Sequence, residues 1–272
     1  MTARHRRPTR LRPSLHTADL RLGERLLASV AAFAVAAVPT GLLLVLIESH
    51  WAPLHELDSA AAGHLHAAVR DHPAVLAVLR TLSNGAWDPL TMRLLVAAAV
   101  AWLLWRRAWR LAAWAAATVT ASGLIGWAVK AAVARARPSL PDPVAHAPGF
   151  SFPSGHAMTA ATCCTVLLLV LSPALRPPWL RAARILAVLS VLGVGFTRVA
   201  LGVHWLSDVL GGWLLGLALV AATAWAFQGW RRDTGRAVPP PLVEGLEPEL
   251  APDGPDHPEE PAHAEEPARP AR

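Results

Sequence analysis

The sequence predicts an all-α fold: a polytopic membrane helical bundle of about six transmembrane helices, with disordered N- and C-terminal tails. Three observations support this fold class. Of the 272 residues, 54% are hydrophobic and only 16% are charged, whereas soluble domains carry about 25% charged residues. Long runs of Ala, Leu and Val alternate with short loops that contain arginine. Both ends of the chain are polar.

Several apolar runs are candidate transmembrane helices, since a helix needs about 20 apolar residues to cross a bilayer. In chain order they are 26–47, 89–105, 111–130, 156–171, 185–203 and 205–227. The first run is too long for the apolar core of a signal peptide, and no convincing cleavage site follows it, so we expect a retained anchor. Pro39 and Gly41 are the residues at which we expect this helix to kink.

Composition divides the chain into a basic arm over 1–24, a membrane domain over 25–230 and a tail rich in Pro and Glu over 231–272. The tail has too few apolar residues to offset the entropy of ordering, so we expect it to be disordered. Residues 48–88 mix apolar, histidine and charged residues. Within this segment, the composition of residues 57–69 predicts a partly amphipathic helix on the outer membrane surface.

Basic residues cluster beside the predicted spans, which favours a role in membrane topology over nucleic-acid binding, despite a formal net charge of +6. The clusters lie at 4–25, 106–110, 176–184 and 231–236. Because loops rich in arginine stay in the cytoplasm, we expect a multi-pass protein of the plasma membrane with both termini cytoplasmic. The extracytoplasmic face then receives 48–88, 131–155 and the turn near His204.

Metal binding is not predicted from the cysteines or histidines. Cys163 and Cys164 are adjacent within an apolar run and match no zinc pattern. The histidines of the 48–88 segment, including His64 and His66, are more typical of a surface helix than of a metal site.

Three groups of polar residues lie within or beside the apolar runs, where ionisable groups are costly and tend to be functional. The first is Lys130 with Arg137. Lys130 is the only lysine of the chain, which indicates a position that needs a compact ammonium; the alternative is a side chain that reaches the interface from the end of a span. Their spacing of 7 residues would place both cations on one face if the helix continued.

The second group is Phe-Pro-Ser-Gly-His at 152–156, where the fourth span begins. Pro, Ser and Gly are ordinary helix-start residues, but they do not explain a histidine at the start of an apolar helix. Free amides at a helix N-terminus, together with the Ser154 hydroxyl, form a natural phosphate-binding site. His156 could donate a proton to a group bound there.

The third group is Arg198, His204 and Asp208. His204 and Asp208 are 4 residues apart, so they share a face of a helix. A carboxylate that accepts a hydrogen bond from one imidazole nitrogen leaves the other as a nucleophile; a buried pair that only joins helices is the alternative. Together the three groups suit phosphoryl transfer. No further carboxylate is predicted within the spans, so a magnesium site is not expected.

The first two groups resemble motifs of the type 2 phosphatidic acid phosphatase family, also called lipid phosphate phosphatases, which share an active-site plan with vanadium haloperoxidases. The first family motif is Lys, six residues, then Arg-Pro, and Lys130, Arg137 and Pro138 match it. The second is Pro-Ser-Gly-His, which residues 153–156 match.

The third group is similar to the remaining family motif: Ser-Arg, five residues, His, three residues, Asp. Arg198, His204 and Asp208 fit this pattern, with Thr197 in place of the serine. Because threonine keeps the hydroxyl, we expect little loss of function. The three motifs cover residues 130–208 and occur in the family's order.

The resemblance implies a phosphatase that acts on lipid phosphates in the bilayer, with no metal and no cofactor. His204 would attack phosphorus to form a phosphohistidine, Asp208 would orient its ring, and His156 would protonate the leaving alkoxide and then activate water. The residues implied to bind the phosphate are Lys130, Arg137, Ser154, Gly155 and Arg198. Asp208 should raise the pKa of His204, so a neutral ring would depend on the surrounding cations.

Two alternatives remain open at the level of sequence. One is a lipid phosphotransferase that passes phosphate from the same histidine to an acceptor. The other is a membrane transporter or scaffold whose polar residues form a gate. The loops do not select among phosphatidic acid, phosphatidylglycerophosphate and polyprenyl phosphate or diphosphate as substrate, and they predict no oligomeric state.

Overall fold

The computed structural model describes residue 28 and residues 30–233, and all regular structure within them is helical. The helices are α1 (Val30–Ala36), α2 (Val38–Glu48), α3 (Ala52–Arg70), α4 (Pro73–Thr81), α5 (Pro89–Trp105), α6 (Trp109–Val133), α7 (Gly155–Leu171), α8 (Pro177–Ala200) and α9 (Leu206–Asp233). The predicted basic arm and nearly all of the predicted tail lie outside the described residues.

Five helical segments are long and apolar enough to cross a membrane, and α1 with α2 would form a sixth. The five are Pro73–Trp105, Trp109–Val133, Gly155–Ala174, Pro177–Ala200 and Leu206–Gln228. Helices α1 and α2 are bent by 50°. Pro39, the second residue of α2, lacks an amide hydrogen and explains the bend. The predicted all-α, multi-pass membrane bundle is confirmed.

The segment between the first two predicted spans is more helical than its composition indicated. A π-helical turn, Leu82–Ala86, joins α4 to α5, so the apolar segment begins at Pro73 rather than at Pro89. Helix α3 contains the predicted amphipathic stretch. It packs its buried face against protein, since Ala62 contacts the apolar cluster that includes Val199 and Val209.

Helix α6 ends before it reaches Arg137, so Lys130 and Arg137 do not lie on one face of a continuous helix. Ala134 adopts left-handed backbone angles, φ 50° and ψ 29°, and its amide donates to the Lys130 carbonyl at 3.1 Å. Such a residue terminates a helix. Arg137 therefore lies in the loop 134–154 that connects α6 to α7, and the condition for a shared helical face is not met.

Helices α7 and α9 approach each other closely at two glycines of α9. A Cβ atom on Gly212 would lie 2.7 Å from the Ser154 carbonyl oxygen, and one on Gly216 would lie 2.9 Å from the Met158 carbonyl oxygen. Small residues at this spacing let membrane helices pack backbone against backbone. The contact fixes the N-terminal end of α7 beside the first turns of α9.

Candidate active site

The two cations of the first motif converge on one stretch of the α6–α7 loop although they lie on different elements. Lys130 Nζ, in the last turn of α6, donates to the carbonyl oxygens of Phe150 at 2.7 Å and Ser151 at 3.4 Å. Arg137 donates to the carbonyls of Pro148, Gly149 and Phe150 at 2.9–3.1 Å. The loop carbonyls thus hold both cations beside one another.

The hydrogen bonds of His204 define its tautomer. Arg137 Nη1 lies 3.1 Å from His204 Nε2, and a guanidinium can only donate. Nε2 must therefore be the acceptor, with its lone pair directed at the cation. The proton then sits on Nδ1, which lies 3.4 Å from Asp208 Oδ2 and 3.4 Å from Ser151 Oγ.

Asp208 is fully buried and receives hydrogen bonds on both carboxylate oxygens. Oδ1 accepts from Arg135 Nη1 at 2.6 Å. Oδ2 accepts from the Trp205 amide at 2.9 Å and from the Ser151 hydroxyl, besides contacting His204. A buried carboxylate with this set of partners remains charged and fixed in orientation. His204 itself precedes α9, which begins at Leu206, so the pair forms across the start of the helix.

The remaining cation, Arg198, reaches the site from the last turn of α8. Its side chain is buried, and Nη1 donates to Ser83 Oγ, in the π-helical turn, at 2.9 Å. Its Nε atom is buried and has no hydrogen-bond partner among the residues that the structure describes. An unsatisfied buried donor is costly, so this nitrogen favours an anion that can accept from it.

The second motif forms the N-terminus of α7. Ser154 is the N-cap: its Oγ accepts from the Ala157 amide at 3.5 Å, and its own amide donates to the Asp208 carbonyl at 2.9 Å. Gly155 begins the helix and His156 follows it. Ser154 is buried, and its hydroxyl caps the helix.

Thr197, which stands where the family motif has serine, does not face the site through its hydroxyl. Its Oγ1 donates to the Val194 carbonyl at 2.8 Å within α8, and the residue is fully buried. The threonine hydroxyl is therefore satisfied inside its own helix.

The structure brings the predicted site residues of all three motifs together. Electrostatic interactions act on His156 from Arg198, His204, Arg137 and Lys130. The residues come from the C-terminal ends of α6 and α8, the loops that follow them, and the N-terminal ends of α7 and α9. These ends lie at one end of the bundle, opposite the loops that carry Arg106 and Arg176.

Burial dominates the protonation of His204. It lowers the pKa of the ring from 6.5 to about 4, although the negative charge of Asp208 and the hydrogen bond that His204 donates to it raise the pKa. The positive charges of Arg137 and Arg198 lower it further. The sequence-based expectation gave Asp208 and the cations the correct signs but missed burial, which is the largest effect. Burial likewise lowers the pKa of Arg137.

Several site residues were missed from the sequence because they lie outside the motifs. Ser83 binds Arg198, Ser151 binds Asp208, and Arg135 binds Asp208 and Asp58. Arg135 and Ser151 carried a local signal, since each lies within three residues of a motif residue. Asp58, more than seventy residues from Arg135 in sequence, carried none.

No group of three or more His, Cys, Asp or Glu side chains within the described part of the chain could hold a metal ion. His66, one of the histidines considered for a metal, is buried and its Nε2 lies 3.0 Å from the Pro141 carbonyl.

Known proteins share the motifs and the fold. A family model described as the PAP2 superfamily matches residues 111–232. Phosphatidylglycerophosphatase B of Bacillus subtilis is 43% identical over 101 residues, which are 35% of this chain and 48% of that protein. Undecaprenyl-diphosphatase of Sulfolobus acidocaldarius is 42% identical over 67 residues, 25% of this chain and 29% of that protein. The chain thus spans about half of the first relative and less of the second.

A solved structure extends the similarity to most of the chain. The transmembrane PAP2 type phosphatidylglycerolphosphate phosphatase from Bacillus subtilis superposes with a TM-score of 0.61 at 25% identity. The superposition covers 75% of this chain and 96% of that protein. The family model includes the residues of all three motifs, and the described helices reproduce the neighbour's fold. Within this multi-pass membrane chain, residues 111–232 therefore match a PAP2 superfamily domain, as the motifs predicted.

Proposed function

We propose that this chain is a metal-independent membrane phosphatase that hydrolyses lipid phosphate monoesters or diphosphates through a phosphohistidine intermediate on His204. The observation that carries the proposal is the convergence of Lys130, Arg137 and Arg198 around His204 and His156 at one end of the bundle. The relatives named as phosphatidylglycerophosphatase and undecaprenyl-diphosphatase support a lipid phosphate as substrate.

His204 is the nucleophile in this proposal because its Nε2 carries the available lone pair. Nδ1–H faces Asp208, which fixes the ring, and Nε2 faces the cations. Nε2 attacks phosphorus, a P–N bond forms, and the P–O bond to the lipid breaks. For a diphosphate the departing group is the lipid monophosphate.

The three cations bind the phosphate and stabilise charge in the transition state. In the described conformation Lys130 and Arg137 donate to loop carbonyls, so a phosphate replaces neutral acceptors with charged ones, which form stronger hydrogen bonds. The Gly155 amide at the start of α7 adds a donor. This charge compensation is the contribution that a divalent metal makes in other phosphatases.

His156 acts as general acid and then as general base. It donates its proton to the alkoxide that leaves with the lipid. It then removes a proton from water, which attacks the phosphohistidine, breaks the P–N bond and releases inorganic phosphate. His204 returns to its neutral form with its lone pair restored.

The site is proposed to face the extracytoplasmic side of the plasma membrane. Arg106, Arg107 and Arg176 lie at the opposite end of the bundle, and basic loops stay in the cytoplasm. A lipid substrate would therefore present its phosphate from the outer leaflet.

A purified-protein assay tests the activity. Detergent-solubilised protein in chelator is supplied with phosphatidylglycerophosphate, phosphatidic acid, or undecaprenyl phosphate or diphosphate, and released phosphate is measured. We expect at least one lipid to be hydrolysed with chelator present, and the His204→Gln variant to be inactive. Activity that requires an added divalent metal would contradict metal independence. Phosphate transfer to an added acceptor lipid in place of release to water would favour the phosphotransferase alternative.

A further inference from the structure

Asp58 is a fully buried carboxylate that lies outside every motif and outside the segment 111–232 matched by the family model. It belongs to α3, the helix that packs beside the start of α9. A buried charge of this kind must be compensated by close partners.

The partners of Asp58 are residues that hold Asp208. Oδ1 of Asp58 accepts from the Ser207 amide at 2.8 Å, and Oδ2 accepts from the Ser207 hydroxyl at 2.5 Å. The Ser207 amide is one of the free donors in the first turn of α9. Asp58 therefore caps that helix from another element, one residue before the carboxylate that orients His204.

Arg135 connects the two buried carboxylates directly. Its Nη2 donates to Asp58 Oδ2 at 2.8 Å, and its Nη1 donates to Asp208 Oδ1 at 2.6 Å and to Ser207 Oγ at 2.7 Å. The guanidinium is only 13% exposed and lies over the Trp205 ring at 5.6 Å. Its planar fork lets one cation donate to both carboxylates in fixed geometry.

These contacts connect three residues of alternating charge, Asp58, Arg135 and Asp208, to the neutral ring of the proposed nucleophile, His204. Asp58 holds Ser207 and Arg135 in place, and these two residues restrict the rotation of the Asp208 carboxylate. The geometry points to Asp58 as a positioning residue, which acts through Arg135 and Ser207 to keep Asp208 against Nδ1 of His204. This inference rests on the proposed role of His204.

The competing explanation is that Asp58 only joins α3 to α9. Both explanations predict that removing the carboxylate weakens the fold, because breaking a buried ion pair is destabilising. Only the positioning role predicts that the His204 tautomer changes and that the loss of activity depends on Asp208.

The test compares Asp58→Asn with Glu56→Gln, which removes the same charge from an exposed position on the same helix. We expect Asp58→Asn to lower kcat about ten- to hundredfold, the usual cost of losing a supporting partner, with KM changed less than about threefold. Glu56→Gln should retain wild-type kinetics. Adding Asp58→Asn to Asp208→Asn should cause little further loss, since residues that act as a unit are non-additive. If the two substitutions instead lowered kcat by independent factors that multiply in the double variant, the inference would be overturned.

A readout independent of activity separates this inference from the proposed function. In protein labelled with 15N-histidine, the wild-type His204 ring should be the neutral Nδ1–H tautomer, and Asp58→Asn should give a mixture of tautomers. If Asp58→Asn does not fold, Arg135→Lys gives the same comparison, because a lysine ammonium lacks the planar guanidinium that donates to both carboxylates. An inactive wild type would contradict the proposed function alone. An unchanged His204 tautomer in the folded variant would overturn the positioning role.

Discussion

The protonation of His204 is decided by two neighbours with opposite hydrogen-bonding properties. Arg137 can only donate, so Nε2 must accept, and the carboxylate of Asp208 faces Nδ1. This arrangement keeps a lone pair on the nitrogen that faces the cations, where a phosphate would bind. Arg137 Nη1 occupies that position in the structure, so the proposed mechanism requires the guanidinium to move from Nε2 to a phosphate oxygen.

The low pKa of His204 predicts that the proposed nucleophile stays neutral in mildly acidic solution. Because burial holds the pKa at about 4, the ring is mostly neutral above that pH and becomes protonated as the pH falls through it. This can be measured by NMR titration of protein labelled with 15N-histidine, in which the His204 signal is the one missing from His204→Gln. The His204 signal should show no transition between about pH 5 and about pH 8, the range in which ordinary histidines titrate. A transition near the unperturbed value of about 6.5 would contradict the burial argument.

Lys130 offers a test of shape at constant charge. Its ammonium fits between the Phe150 and Ser151 carbonyls, and a planar guanidinium would displace them or Arg137. We expect Lys130→Arg to lower kcat/KM about tenfold or more, since misplacing one donor to the transition state is costly. The control is Arg70→Lys, a partly exposed cation outside the site. Wild-type kinetics for Lys130→Arg would contradict the prediction that this position needs a compact ammonium.

At the scale of helices, the close contact of α7 and α9 holds the second motif against the third. The Ser154 amide donates to the Asp208 carbonyl, and Gly212 and Gly216 leave no room for a side chain between the two backbones. The helix N-terminus that is proposed to bind phosphate is thereby fixed beside the proposed nucleophile.

Alanine substitutions at two helical glycines test this contact. Gly212→Ala places a Cβ 2.7 Å from a backbone oxygen, so we expect it to lower the free energy of unfolding by about 1–3 kcal/mol, as overpacking does, and to reduce activity. Gly63→Ala has nothing within 4 Å and should be neutral or slightly stabilising. Thermal unfolding in detergent measures both. A Gly212→Ala protein as stable as Gly63→Ala would show that the contact is looser than described.

The sequence predicted the helices of the PAP2 domain well and those before it less well. Spans with continuous apolar runs, such as α6 and α7, have a direct compositional signal. Helix α3 carries several charges and three histidines, and α4 has only 9 residues, so composition did not show that Pro73 begins an apolar segment. The end of α6 also escaped prediction, since Ala134 is an ordinary helix former that takes a left-handed conformation here.

At the scale of the whole molecule, the motifs identified most of the candidate site, because family motifs specify residue types at fixed spacing. Their convergence followed from topology: alternate ends of consecutive spans meet at one side. The supporting residues Asp58 and Ser83 could not be predicted, since their roles depend on which helices pack together and not on local sequence. Burial of His204, which sets its pKa, is likewise a property of the assembled bundle.

The orientation of the bundle can be tested with single cysteines. In a background with Cys163 and Cys164 replaced by alanine, Asp142→Cys lies at an exposed position in the α6–α7 loop. Arg107→Cys lies at an exposed position between α5 and α6, at the other end of the bundle. In right-side-out vesicles, an impermeant maleimide should label Asp142→Cys and spare Arg107→Cys until the membrane is permeabilised. Labelling in the reverse order would place the site in the cytoplasm.

In the proposed mechanism, phosphate passes through a covalent bond to His204. Rapid quenching of wild-type protein with 32P-labelled lipid phosphate should trap a phosphoenzyme that is labile in acid and stable in alkali, with mass spectrometry placing the phosphate on His204. His204→Gln should trap none, and Asp208→Asn should form it roughly 10³- to 10⁴-fold more slowly, the loss seen when a catalytic histidine is deprived of its carboxylate. Lipid hydrolysis by His204→Gln at the wild-type rate, or phosphate on a different residue, would contradict a covalent intermediate on His204.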